Sequence, residues 1–222
     1  MTSMVHIVLA SASPRRRQLL ATLGVVFDVR PSNVNEEALP NEHPLETQER
    51  ITLDKAERCD VADLTGSGAS APRFVIACDT TVLMDGAMLN KPADEQEARA
   101  MLETLRGRTH TVNSCVVLRD PDSGQRQIAH ATTDVVMRNY TDEEITTYIA
   151  TGDPWDKAGG YAMQHAGFHP VQSINGCPLN VIGLPLCVLR TQMQGLLPSP
   201  DTVCDSELQK LGVHCAGRSC GS

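Results

Sequence analysis

Three short segments hold residues whose types could work on phosphate. The first is Ser11-Ala12-Ser13-Pro14-Arg15-Arg16-Arg17. Ser13 is a good N-cap and Pro14 suits the first helical position. The arginines therefore fall at a helix N-terminus, where free N–H groups and the helix dipole favour an anion. Two serines and three arginines there suit a phosphate; a basic surface cluster on an ordinary capped helix is the plainer reading of the same residues. The second segment is Asp79-Thr80-Thr81, directly after the apolar run Phe74–Cys78. Ligands of open α/β sheets collect at the carboxyl ends of strands, and a carboxylate there can hold Mg²⁺ or take a proton from water. An Asp capping a turn is the alternative. The third set is Lys55 and Lys91, point charges that could neutralise phosphate oxygens, with Glu36 and Glu37 as possible metal ligands; most such residues are simply solvated.

These residues need elements to position them. Val5–Ala10 reads as a buried strand leading into the Ser13-capped helix, with Leu19, Leu20 and Leu23 as its apolar stripe and Gly24 at its end. Phe27–Arg30 alternates as a second strand, and Leu45–Val61 reads as a helix carrying Lys55. Asp63–Arg73, rich in Gly, Ser and Ala, reads as a mobile loop. Phe74–Cys78 is a buried strand, and Val82–Leu89 a hairpin turning at Asp85-Gly86. Asp94 with Glu97, and Thr141 with Glu144, look like capping boxes opening helices that close at Gly107 and Gly152. Thr109–Leu118 and Gln127–Met137 read as long strands, and a last helix fits Leu186–Leu196. Alternating helices and strands predict one α/β domain over residues 1–197, followed by a polar, loose tail over 198–222.

Composition narrows the classes. The chain has 222 residues, 19 Lys plus Arg against 27 Asp plus Glu, and a net charge of −8. That acidity argues against sequence-independent nucleic-acid binding through Arg15–Arg17, as does the presence of one Trp, three Tyr and three Phe. A hydrophobic content of 41 % is globular. No apolar run approaches the roughly 18 residues of a membrane span, and the first residues lack a basic stretch before their short apolar run. Eight cysteines with no CxxC spacing read as reduced thiols of an intracellular, cytoplasmic protein. Cys78 reads as a core thiol and His110 as structural. Trp155 is a candidate rim residue. His214 and Cys215 with Cys204 and Cys220 are too irregularly spaced for a convincing metal site.

Taken in order, five strings are more specific than any one alone. They are Leu9–Arg16, Asp79-Thr80 with Lys91-Pro92, Gly107–Val112, Asp156–Gln164, and Ile174-Asn175-Gly176 with Val181–Leu186. Over about residues 5–190 they resemble the Maf family of nucleotide pyrophosphatases. The resemblance implies a mixed, twisted α/β sheet flanked by helices, two lobes around a central cleft, and kinship with inosine triphosphatases. It implies a homodimer, a divalent metal (Mg²⁺ or Mn²⁺), and hydrolysis of nucleoside triphosphates to monophosphate and pyrophosphate in house-cleaning of the nucleotide pool. Asp79 matches the family's proton acceptor; Arg15, Thr80 and Gln164 match positions tied to base selectivity. Thr80 with Gln164 resembles the branch preferring dTTP and UTP, with modified pyrimidine triphosphates also in view, whereas a 7-methyl-GTP branch carries Gln after the Asp. Glu36 and Asp79 would hold the metal with phosphate oxygens. Lys55 and Lys91 would act beside Asp79; Ser13, Arg15, Arg16 and Lys157 would bind substrate; Thr80 and Gln164 would read the base edge. With a net charge of −8, the basic residues must converge locally and the metal must offset the rest. Departures from the pattern are Asn90 before Lys91-Pro92, Trp155, Cys177-Pro178-Leu179, and the extra length after Asp63. The rival reading is a regulatory module that binds nucleotide without turnover, although such a sensor could dispense with Asp79 and Lys91.

Overall fold

In a computed structural model, which describes residues 5–62, 73–193, 197, 205–206, 209 and 214–215, a single mixed sheet organises the molecule. Along the chain the elements are β1 (His6–Leu9), α1 (Pro14–Ala21), β2 (Phe27–Val29), α2 (Pro44–Glu57), β3 (Arg73–Met84), β4 (Ala87–Leu89), α3 (Glu95–Leu105), β5 (Thr109–Arg119) and β6 (Arg126–Met137). They continue with α4 (Asp142–Ala150), 3-10 turns at Asp153–Asp156 and Ala158–Gly160, β7 (Val171–Asn175), α5 (Pro178–Ile182), α6 (Leu186–Gln192) and β8 (His214–Cys215). The strand order is β2-β1-β3-β5-β6-β7-β8, with β4 paired to β3. β1 lies parallel to β2 and β3, and β8 parallel to β7; the other pairs are antiparallel.

Period-two alternation sorts β3 between two cores. Ile76, Cys78, Val82 and Met84 join the larger core, under α1 and α3–α6, while Val75 and Ala77 join a smaller one with Ala56 of α2. The polar residues Asp79 and Thr80 interrupt this run. By the same alternation Asp79 faces α2 and Thr80 faces the larger core.

The expected short strand at Phe74–Cys78 is in fact a twelve-residue strand, β3, that runs through Asp79 to Met84. Asp79 is therefore in mid-strand, not at a strand end. β5 pairs with β3 from Val75 to Leu83 and carries it through the polar residues. On its other edge, β3 pairs with β1 only as far as Ile76, and its pairing with β4 starts at Val82. The gap between them opens beside residues 77–81, just beyond the carboxyl end of β1.

Local signals explain the elements around that gap. The Ser13 side chain accepts the Arg16 N–H and Pro14 opens α1. α2 begins at Pro44, with His43 and Glu46 forming a capping box, and ends at Glu57, short of the expected Val61. Thr141 and Glu144 form the expected box on α4. The tight turn joining β3 to β4 places Asp85 and Gly86 at positive φ, 51° and 81°. The expected loop after Asp63 and the far end of the last helix fall outside the described residues, as does most of the tail. Within the tail, the backbone of His214–Cys215 pairs with β7. β7 and α5 lie in a stretch read only for its motifs.

Candidate active site

The gap in the sheet is the floor of a cleft of about 840 Å³. Ten residues that the sequence marks as site candidates line it: Asp79, Lys55, Lys91 and Glu36, then Ser13, Arg15 and Arg16, and finally Thr80, Lys157 and Gln164.

α2 supplies the first wall. Gln48, Thr52 and Lys55 share its buried face at helical spacing. Lys55 Nζ lies 2.8 Å from Asp79 Oδ1 and 2.8 Å from Glu36 Oε1, so one ammonium joins two carboxylates. Burial pushes the Glu36 carboxyl up, but the Lys55 hydrogen bond and the charges of Lys55, Lys91 and Arg16 outweigh it and hold the group below its ordinary value. Gln48 is fully buried, and its amide donates to the carbonyls of Asp79 (3.1 Å) and Asn113 (2.7 Å). Those carbonyls precede Thr80 and Ser114, which pair across β3 and β5. Gln48 thus clips both strands at the rung that carries the site. Its Oε1 is buried with no partner among the described residues.

The opposite face of β3 is organised by Arg16. Its Nε donates to the Gly183 carbonyl at 2.9 Å, one terminal nitrogen to Ser11 Oγ at 3.3 Å and the other to Thr80 Oγ1 at 3.2 Å. Each terminal nitrogen keeps a further N–H. Gly183, at φ +131°, occupies a backbone region that a side chain would strain. Thr80 Oγ1 also lies 2.8 Å from Ser114 Oγ, on a serine with no exposed surface.

The third wall is the segment 153–164. Gly159, at φ +71°, passes so close to β3 that a Cβ would meet Val82 Cγ1 at 3.1 Å. Arg15 reaches across the cleft mouth to Asp156 Oδ2 at 2.9 Å. Lys157 lines the cleft, yet its ammonium donates to the Asp153 carbonyl at 2.5 Å, Asp153 Oδ1 at 2.9 Å and Asp156 Oδ1 at 2.5 Å, which occupies all three N–H bonds. Burial raises the Asp156 carboxyl, and Lys157 and Arg15 reverse that and lower it. Lys91 is exposed, and neither its ammonium nor the Gln164 amide has a hydrogen-bond partner among the described residues. Ser13 Oγ accepts the Arg16 N–H as the cap of α1, a bond that leaves its own O–H hydrogen to donate.

His110 and Cys78 stand outside this chemistry. His110 Nε2 pairs with the Tyr161 hydroxyl at 2.7 Å, and burial pushes the imidazole down to about 4, so it is neutral at pH 7. Burial raises the Cys78 thiol. Trp155 is 40 % exposed and lies off the cleft lining. Residue type alone does not single out Gln48 or Ser114, and Asp156 stands out only as the first residue of the string Asp156–Gln164. A polar residue inside the apolar strand β5, or on the buried side of α2, was the available signal.

The arrangement places a carboxylate poised by a lysine on one face, a hydroxyl held by an arginine on the other, and cations at the rim. That is a set able to neutralise a polyphosphate and to take a proton from water. The Maf-like protein family model matches residues 6–196. The dTTP/UTP pyrophosphatase of Syntrophotalea carbinolica is 46 % identical over 183 residues, covering 82 % of this chain and 80 % of that protein. A protein of the same name from Thermomicrobium roseum is 46 % identical over 181 residues, covering 81 % and 79 %. One from Caldicellulosiruptor saccharolyticus is 40 % identical over 193 residues, covering 87 % and 96 %. On a match of this extent, with the cleft assembled from the residues that carry it, the chain belongs to the Maf family.

Proposed function

We propose that this protein is a nucleoside triphosphate pyrophosphatase that hydrolyses dTTP and UTP to the nucleoside monophosphate and pyrophosphate. The observation that carries the reading is the convergence of Lys55, Glu36 and Asp79 within one cleft whose rim holds Arg15, Arg16 and Lys91. The names of the similar proteins support the substrate. The 5-substituted pyrimidine triphosphates belong to the same reading.

Water attacks the α-phosphorus, the bond from that phosphorus to the β-phosphate oxygen breaks, and pyrophosphate leaves. Asp79 accepts the proton of the water. Lys55 orients the Asp79 carboxylate from one oxygen and leaves the other free for that proton. Arg16, through its unused N–H groups, and Lys91 neutralise the phosphates, while Thr80 and Gln164 face the base. A divalent cation suits the donor set. Glu36 and Asp79 are two oxygen donors drawn together by Lys55, a hard-ligand pair of the kind that Mg²⁺ shares with substrate phosphates. Among the described residues no group of three or more His, Cys, Asp or Glu forms a cage that would serve without substrate. Glu36 and Asp79 would hold the cation, which would neutralise phosphate charge and polarise the phosphoryl oxygens.

Among the described residues no helix is long and apolar enough to cross a membrane. The reading extends to a cytoplasmic homodimer, with residues 1–197 as the catalytic domain and 198–222 as a tail; sedimentation and a chain truncated after 197 test these points. The function is tested by pyrophosphate release with Mg²⁺ or Mn²⁺ across dTTP, UTP, CTP, GTP, ITP, 7-methyl-GTP and 5-methyl-UTP, with Asp79→Asn as control. Release confined to dTTP, UTP and 5-methyl-UTP and lost in the variant is expected. Release from purines alone would keep the reaction and overturn the base assignment. Nucleotide binding without release would make the protein a sensor.

A further inference from the structure

Thr80 Oγ1 meets an Arg16 terminal nitrogen at 3.2 Å, Ser114 Oγ at 2.8 Å, the Gly183 carbonyl at 3.4 Å and the thiol of Cys78, two residues back on the same strand face. Two hydroxyls in contact can bond in either direction, and the surroundings decide which. Ser114 has no exposed surface, and among the described residues Thr80 is the partner of its hydroxyl. Were Thr80 the donor, the Ser114 O–H would be buried with nothing to receive it, an unfavourable state that native cores avoid. With Ser114 as the donor, both hydroxyls are satisfied. Arg16 can only donate. Both lone pairs of Thr80 Oγ1 are therefore filled, and only its hydrogen is left to give. Within the protein that hydrogen has only the Cys78 sulfur, a weak acceptor, and the Gly183 oxygen, distant at 3.4 Å and already taking Arg16 Nε at 2.9 Å and Cys78 Sγ at 3.4 Å. Thr80 lines the cleft, so a ligand there meets a hydroxyl that can donate and cannot accept.

We propose that Ser114 is a specificity-positioning residue: together with Arg16 it fixes the Thr80 hydroxyl as a donor, so that the cleft takes a pyrimidine with a carbonyl at position 4 and rejects one with an amino group there. The inference rests on the reading of Thr80 as facing the base. Uracil and thymine present an acceptor oxygen at that position and cytosine an NH₂ donor. A threonine free to rotate would serve either edge, because it both donates and accepts. One with filled lone pairs sets donor against donor in the case of CTP, and such a polar mismatch discriminates far better than a misplaced methyl group does.

The test measures kcat and KM for dTTP, UTP and CTP in the wild type, Ser114→Ala, Thr80→Val and the double variant. Ser114→Ala removes one oxygen from a buried site, and thermal melting checks that it folds. The wild type is expected to prefer dTTP and UTP over CTP. In Ser114→Ala the kcat/KM ratio of dTTP to CTP is expected to fall about 10-fold, mainly through a lower KM for CTP. Because Ser114 acts through Thr80, the double variant is expected to show the same ratio as Thr80→Val alone. A purely structural serine would lower all three substrates together and leave the ratio in place. An unchanged ratio in Ser114→Ala, a further change in the double variant, or a wild type indifferent to CTP would each overturn the proposal. If the wild type releases pyrophosphate from none of the three, the proposed function fails by itself. The same ratio is then read from calorimetric Kd values for dTTP and CTP, with the same outcomes deciding.

Discussion

Two neighbouring residues of β3 look to opposite sides of one sheet and into two different environments. On the α2 side, Asp79 meets an ammonium and, across it, a second carboxylate, with a buried amide gripping its backbone. On the other side, Thr80 meets a guanidinium and a buried hydroxyl, and no carboxylate is bonded to it. The first face holds charge in readiness and the second fixes the direction of a hydrogen bond. A proton acceptor needs a neighbouring field that can be compensated, whereas a reading group needs a polarity that cannot reverse. Strand alternation lets one dipeptide serve both needs, because each residue is built by a different core.

If the faces divide labour in this way, the largest effect lies at Asp79. Asp79→Asn keeps the size of the side chain and the bulk of its contacts while removing the base. We expect pyrophosphate release from dTTP to fall about 10³-fold, with the preference for dTTP over CTP in residual turnover unchanged. A change in preference would show that the faces are not separate.

Lys55→Met comes next. It leaves Glu36 and Asp79 facing each other with no charge between them, and we expect kcat to fall about 10²-fold. The pH dependence sharpens the point. Glu36 is held below its ordinary value of 4.5 in the folded protein, so it contributes stability above that pH, and the contribution is lost as pH falls through the lowered value. Without Lys55 the lowering is largely removed. The gap in melting temperature between wild type and Lys55→Met should therefore be widest above about pH 4.5 and narrow below it. Thermal melts from acid to neutral pH measure this, and a gap that stays constant would take Lys55 out of the pair.

Gln48 shows how far the site could be read before the structure. The opening strand, the Ser13-capped helix, the single box of Thr141 with Glu144 and the Asp85-Gly86 turn were legible because each rests on a local rule of backbone geometry; at α3 only half of the expected box forms, Asp94 capping Glu97 N–H while Glu97 takes the N–H of Ala93. The candidate cleft residues were legible because they come in strings with a distinctive order. β3 was cut short at Cys78 because three polar residues in a row look like an end. Only pairing with β5, set thirty-odd residues later, carries the strand on. α5 spans five residues with no side-chain cap, and β7 is as short; Pro178 and Gly183 bracket α5, but a single turn between them is too short to show a helical period. Gln48 lies on a helix face that a lone sequence cannot orient, and its importance lies in two carbonyls distant along the chain. Gln48→Leu separates its roles. The Asp79 and Asn113 carbonyls lose their donor, which outweighs removal of the unpartnered Oε1, so the melting temperature should fall by several degrees. The rung under Asp79 is released, so kcat should fall about 10-fold with KM for dTTP nearly unchanged. A lower melting temperature with kcat unchanged would reduce the amide to a structural clamp.

The smallest effect is expected at the rim, where the two faces share a cation. Arg15 bridges to Asp156, whose side chain is 60 % exposed, and Asp156 also takes a bond from Lys157. Exposed pairs of this kind contribute little to stability, and salt screens them. Their consequence is competition: a triphosphate entering the mouth must share Arg15 with a carboxylate already there. Asp156→Asn keeps the amide oxygen as an acceptor while deleting the negative charge, so the net positive field at the mouth grows. KM for dTTP should fall by about 2- to 5-fold with kcat and base preference unchanged, and the gain should fade as ionic strength rises. A KM insensitive to Asp156→Asn at low salt would place the phosphates away from Arg15. They would then lie on the Arg16 and Lys91 side, and the rim pair would serve only to hold the 153–164 segment against α1.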